Sequence, residues 1–143
     1  MERKLSHVGI AVKDLEESSR LFSKLLGIGV AETETVVDQR VRVAVIHLGE
    51  ASLELTQAIS PESPIAKFIE KRGEGIHHVS FEVDDIRSEL ARLRAEGFQL
   101  IDEQPRVGAG GCWIAFLHPK STNGVLVEIS QKIVQSGFPP KAD

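Results

Sequence analysis

His7-Val8-Gly9-Ile10-Ala11-Val12-Lys13-Asp14-Leu15 returns as His78-Val79-Ser80-Phe81-Glu82-Val83-Asp84-Asp85-Ile86, an offset of 71. The same offset carries Val43-Ala44-Val45-Ile46-His47 onto Ile114-Ala115-Phe116-Leu117-His118, so the register survives the intervening segment. Leu53-Glu54-Leu55-Thr56-Gln57 then lies over Val127-Glu128-Ile129-Ser130-Gln131 at an offset of 74, because the loop from Pro119 to Gly124 is three residues longer than its counterpart. A hairpin loop absorbs such an insertion without disturbing its strands. Self-similarity at a fixed spacing marks one structural unit used twice.

Each copy reads as strand, helix and three further strands. In the first strand Val8, Ile10 and Val12 alternate with His7, Gly9 and Ala11, which predicts one apolar face and one face of small or polar groups. Asp14 is placed to cap a helix whose Leu15, Leu21, Phe22, Leu25 and Leu26 are expected to form the covering stripe, with Gly27 as its stop. The second copy repeats this with Val79, Phe81 and Val83, a cap at Asp84 or Asp85, helix residues Ile86, Leu90 and Leu93, and a stop at Gly97. With helices on one face of each antiparallel sheet, the opposite faces are free to form a cup. The expected class is α+β, two tandem βαβββ modules forming a cupped sheet around a metal site.

The expected organisation is a single domain over residues 1–135. Module 1 covers about residues 4–59, a linker with a short helix from Ile65 to Lys71 covers about 60–75, and module 2 covers about 76–132. Residues 136–143, with two prolines and no apolar period, read as a C-terminal tail. The 143 residues, 41% of them hydrophobic, suffice for one well-cored domain and not for two ordinary ones. Seventeen Lys and Arg scattered among 21 Asp and Glu leave a net charge of -4, which disfavours nucleic acid as a partner. The single cysteine, Cys112, forms no internal disulfide, and neither a leader peptide nor a membrane span is legible, so the expected compartment is the cytoplasm.

Strand alternation sends His7 and His78 to the face away from the helices, and it does the same for Glu54 between Leu53 and Leu55 and for Glu128 between Val127 and Ile129. Two buried carboxylates near one another would repel or take up protons, whereas a divalent cation satisfies both and accepts imidazole nitrogens. Each of the four alone is ordinarily a structural or solvent-facing residue; their pairing by the repeat points to a metal site of His7, Glu54, His78 and Glu128. His77 falls on the opposite face and reads as a residue that supports a ligand from behind or packs. His47 and His118, equivalent under the repeat, read as loop residues, and Glu82 as a rim residue too far along its strand to share the ion. Gly110 and Gly111, in the glycine-rich segment from Arg106 to Gly111, are candidates to offer backbone N–H groups to an anionic substrate, and Lys120 to reach a carboxylate or phosphate. For the glycines a flexible turn, and for Lys120 a solvated surface position, is the plain alternative.

With these residues the chain resembles the vicinal oxygen chelate superfamily, whose fold is that of glyoxalase and bleomycin resistance proteins, and within it the methylmalonyl-CoA epimerase family. The resemblance covers about residues 4 to 132. It is carried by His7-Val8-Gly9-Ile10-Ala11-Val12, Ser63-Pro64-Ile65-Ala66-Lys67-Phe68, Gly75-Ile76-His77-His78-Val79, and Phe116-Leu117-His118-Pro119-Lys120-Ser121 leading into Gly124-Val125-Leu126-Val127-Glu128. The resemblance implies exchange of (R)- and (S)-methylmalonyl-CoA by metal-assisted removal of the C2 proton through an enolate. It also implies metal ligands at His7, Glu54, His78 and Glu128, a divalent ion (cobalt first, with Zn, Ni, Mn or Mg as alternatives), an acyl-CoA substrate and a homodimer. Glu128 is then the expected base. Some relatives resemble this chain but carry a second carboxylate where Val43 stands, which makes Glu54 a candidate second proton carrier. Competing expectations are a glyoxalase I type lyase acting on a glutathione hemithioacetal, an extradiol dioxygenase, which a fourth ligand disfavours, and a metal-free small-ligand binder of the same fold.

Overall fold

The computed structural model describes residues 2–133, so the expected tail at 136–143 lies outside the described residues. The element order is β1 (Arg3–Ala11), α1 (Leu15–Leu26), β2 (Glu32–Val36), β3 (Val41–Leu48), β4 (Ala51–Ala58), α2 (Pro64–Arg72), β5 (Gly75–Val83), α3 (Ile86–Ala95), β6 (Arg106–Gly108), β7 (Cys112–Leu117) and β8 (Val127–Lys132), with short 3-10 turns between several of them. The βαβββ order therefore occurs twice, as the repeat predicts. The described residues divide into two compact units, one of residues 7–77 and one in which residues 2–6 join residues 78–133.

Within the first unit the strands lie in the order β2-β3-β4-β1, and within the second in the order β5-β8-β7-β6. The sheets are mixed and not antiparallel throughout as expected: β1 pairs with β4 in parallel, and β5 with β8 in parallel. The cause is topological. A helix crossover returns the chain in the direction of the first strand, and three antiparallel strands then restore that direction in the last, which lies beside the first. The two registers are equivalent under the repeat, Gly9 opposite Glu54 and Ser80 opposite Glu128.

Both long helices begin as the sequence predicts. Asp14 accepts from the Glu17 N–H and Asp85, not Asp84, from the Ser88 N–H. Gly27 closes α1 in the left-handed region at φ 69°, where a side chain would be strained. Helix α2 opens on Ser63 with Pro64 in its first turn. The core of the first unit is Val12, Leu15, Ala44 and Leu55 with Ile10, Phe22, Val30 and Leu53 against it. The second gathers Val83, Ile86, Leu90, Leu93, Ala115, Leu117 and Ile129.

Two expectations about these cores need correction. Leu21 and Leu25 are 61% and 71% exposed, because the helical turn that seats Leu15 and Phe22 on the sheet carries them to the flank, and Leu26, the last residue of α1, is exposed as well. Phe81, expected beneath α3, is exposed and borders a cavity of about 500 Å³ lined by Arg3, Lys4, Leu5, Arg92 and Ile129 among others.

A side-chain amide joins the last strand of each module to its helix. Gln57 Oε1 accepts from the Leu15 N–H at 2.6 Å, and Gln131 Oε1 from the Ile86 N–H at 2.8 Å. These N–H groups have no partner within their helices, and Leu15 and Ile86 are both buried. In the second unit Glu89 is buried and gripped from two sides: Arg3 donates through Nε and Nη2 at 2.8 Å each, and Arg92 through the same atoms at 3.0 and 3.2 Å. The Arg3 hydrogen bonds above all, against the opposing effect of burial and with help from Arg92, hold its carboxyl down at about 2.

Replacing Gln131 with Leu strands the buried Ile86 N–H and is expected to cost about 1–3 kcal/mol in urea unfolding, with an unchanged midpoint contradicting the role. Glu89→Gln is expected to lose about 1–3 kcal/mol at pH 7. Because the folded carboxyl titrates below its unfolded value, that stabilisation is present above about pH 4.5 and is lost as pH falls toward about 2, so wild type and variant converge in acid. A gap that persists at the lowest pH would contradict the assignment.

Candidate metal centre and active site

In the first unit β1 sends His7, Gly9 and Ala11 to the face away from α1, and the parallel register puts Ser52, Glu54 and Thr56 of β4 beside them. His7 Nδ1 lies 3.2 Å from Glu54 Oε2. His7 is buried and Glu54 half-buried. Burial pushes the His7 imidazole down to about 4, so at neutral pH it is uncharged with a lone pair to give. Val43 and Val45 share this face on β3, opposite Thr56 and Glu54, and Glu34 of β2 is opposite Val43. Val43 is 3% exposed, a buried apolar contact on this face.

The second unit repeats the arrangement. His78 of β5 and Glu128 of β8 share the face away from α3, with His78 Nε2 4.0 Å from Glu128 Oε2. Both are buried, and the ring of Phe116 meets His78 edge-on at 5.7 Å. Burial drives the Glu128 carboxyl up to about 7, against the Ser80 hydroxyl and the charge of Arg106, which favour its ionised form; Asp102 works in the same direction as burial. A carboxylate beside an imidazole, half-buried at Glu54 and buried at Glu128, is a donor set that suits a divalent cation. A cation offsets the cost of ionising the carboxylates, and neutral imidazole binds it directly.

The remaining expected residues are placed as follows. His77 lies in the first unit with its ring edge-on to Phe68 at 5.0 Å, a packing position. His47 contacts Ser52 and Glu32 at an exposed strand end, and His118 Nδ1 accepts from the Lys120 N–H within its own turn. Glu82 approaches Lys132 at 3.9 Å, away from Glu128. Lys120 is exposed. Gly110 and Gly111 form the exposed turn between β6 and β7 at φ 72° and 68°, while Arg106 to Gly108, read from sequence as part of that flexible segment, is the strand β6 itself. Two residues beside Glu128 escaped the sequence reading, Asp102 and Arg106. Alternation along β6 places Arg106 on the face of Glu128, but three residues are too few for that period to be read without the paired strand.

Among the described residues no helix is long and apolar enough to cross a membrane. A family model for the glyoxalase/bleomycin resistance protein/dioxygenase superfamily matches residues 6–116. The chain is 42% identical to the mitochondrial methylmalonyl-CoA epimerase of Dictyostelium discoideum, over 90% of this chain and 78% of that one. It is 40% identical to the ethylmalonyl-CoA/methylmalonyl-CoA epimerase of Cereibacter sphaeroides, over 90% and 97%. Among solved structures, the methylmalonyl-CoA epimerase of Mycobacterium tuberculosis superposes with a TM-score of 0.89 at 35% identity, over 92% of this chain and 89% of that one. With the duplicated βαβββ module and its repeated His–Glu pair, these likenesses show that the chain belongs to the glyoxalase/bleomycin resistance protein/dioxygenase superfamily and, within it, to the methylmalonyl-CoA epimerase family.

Proposed function

We propose that this chain interconverts (R)- and (S)-methylmalonyl-CoA by moving the C2 proton, with a divalent ion held by His7, Glu54, His78 and Glu128. The observation that carries this reading is the His–Glu pair found at equivalent positions in both units, 3.2 Å apart in one and 4.0 Å in the other. A bound divalent ion supplies a Lewis acid for the negative charge that grows on the thioester oxygen as the proton leaves.

The chain's own residues carry the proton. C2 lies between a thioester and a carboxylate, so its hydrogen is acidic enough for a carboxylate base. Glu128 is that base: burial raises its proton affinity toward neutrality, where a group both takes up and returns a proton efficiently. Inversion needs delivery to the opposite face of C2, and Glu54 serves as the second carrier because Val43 cannot. Lys120 and the backbone of Gly110 and Gly111 contact the anionic parts of the acyl-CoA. The finer reading is cobalt as the ion, a homodimer as the assembly and the cytoplasm as the compartment; the family resemblance supports the first two, and a lone Cys112 fits a reducing compartment.

Incubation with methylmalonyl-CoA in deuterated water is expected to place deuterium at C2, and purified protein after mild metal loading to hold about one ion per chain. No exchange at C2 together with turnover of a glutathione hemithioacetal would overturn the epimerase reading in favour of the lyase, and less than about half an ion per chain would favour a binding protein.

Glu128→Gln is expected to slow exchange by about 10²–10⁴-fold. Glu54→Gln is expected to keep the ion and lose turnover. Full turnover in that variant would remove Glu54 from the proton path, and Glu34→Gln, which alters the carboxylate opposite Val43, serves as the comparison.

A further inference from the structure

We infer that Arg106 is the residue that recognises the free carboxylate of the substrate's acyl group, and so selects acyl-CoA thioesters bearing a carboxylate at C2. The assignment rests on the epimerase reading and concerns the second unit alone.

Strand register places the residue. Arg106 is opposite Ile114, and Ile114 is opposite Ser130, while Phe116 on the same face of β7 is opposite Glu128 and Glu128 opposite Ser80. Residues directly opposite in a ladder project to the same side, so Arg106, Phe116 and Glu128 share one face, away from the apolar cluster under α3. Gly108 keeps β6 close on that face. A Cβ there would meet the Ile114 side chain at 2.9 Å.

The side chain is held in place rather than left to swing. Its Nε is buried and lies 3.3 Å from Asp102 Oδ1, and its guanidinium sits 5.9 Å over the ring of Phe116. Asp102 is itself anchored, since its Oδ2 accepts the Phe116 N–H at 2.9 Å. With Nε buried and the side chain still 37% accessible, the open part is the Nη end, and among the described residues no acceptor engages it. An oriented guanidinium with its terminal fork open is matched to a carboxylate, which takes two parallel N–H donors.

The position agrees with the chemistry. Arg106 lies over the ring of Phe116, the residue directly opposite Glu128, so it stands on the face of the group that removes the C2 proton. The substrate's carboxylate is bonded to that same C2. A cation on this face holds the carboxylate, orients the C–H toward the base, and leaves an acyl chain that lacks the carboxylate without a partner. Asp102 positions the guanidinium and does not itself meet substrate.

Equilibrium binding of methylmalonyl-CoA and of propionyl-CoA, which differs by the carboxylate, tests this on the metal-loaded protein. Wild type is expected to prefer methylmalonyl-CoA. Arg106→Gln is expected to weaken methylmalonyl-CoA binding by about 10–100-fold while leaving propionyl-CoA unchanged, and Arg106→Lys to recover part of the loss. An unchanged preference in Arg106→Gln, or an equal loss for both ligands, would overturn the assignment; the second outcome would place the contact on the coenzyme arm or mark a folding defect. Deuterium exchange at C2 by wild type, measured alongside, separates the two readings. With exchange intact and the preference unaltered in Arg106→Gln, the role of Arg106 fails and the epimerase reading stands; with no wild-type exchange, the epimerase reading itself fails.

Discussion

The parallel pairing of the first strand of each module with its last is the constraint on which the site depends. Side chains alternate along a strand, and partners opposite one another in a ladder project together. Setting Gly9 against Glu54 and Ser80 against Glu128 therefore puts each carboxylate on the face of its histidine, two residues upstream. A slip of one residue in either register would turn a glutamate into the apolar core and a leucine or isoleucine toward the histidine.

Several contacts protect that register. The apolar neighbours Leu55 and Ile129 are 0% and 4% exposed, so each strand is pinned by burial on the face opposite its glutamate. Gln57 and Gln131 then tie the same strands to the first turns of α1 and α3, three residues past each glutamate. The interval is odd, which lets one strand present an acid to the site and an amide to the helix. In the second unit Arg3 and Arg92 close on Glu89, fastening the start of β1 to α3. Fold and chemistry therefore draw on the same strands from opposite faces.

The electrostatics divide the ionisable groups by what surrounds them. Glu89 is as buried as Glu128, yet one titrates near 2 and the other near 7. The difference is that two guanidiniums donate directly to Glu89, whereas at Glu128 burial outweighs the Ser80 hydroxyl and the charge of Arg106. A carboxylate already neutralised by arginines is structural. One kept short of positive charge is available to a cation or a proton.

Much of this was legible in the sequence because it depends on local periods. The offset between His7 and His78, the alternation around Glu54 and Glu128, and the caps at Asp14 and Asp85 each need only the geometry of a strand or a helix turn, and together they determined the duplicated module and the candidate ligands. Three features were decided only by tertiary structure. The parallel pairing depends on which strands become neighbours, a matter of chain path and not of composition. Leu21 and Leu25 satisfied a helical apolar pattern, but the width of the face that the sheet covers left them in solvent. Arg106 stood in a segment too short for a period, beside glycines that suggested a loop; the hydrogen-bonded partner Ile114, and through it the face of Glu128, revealed where the arginine belongs.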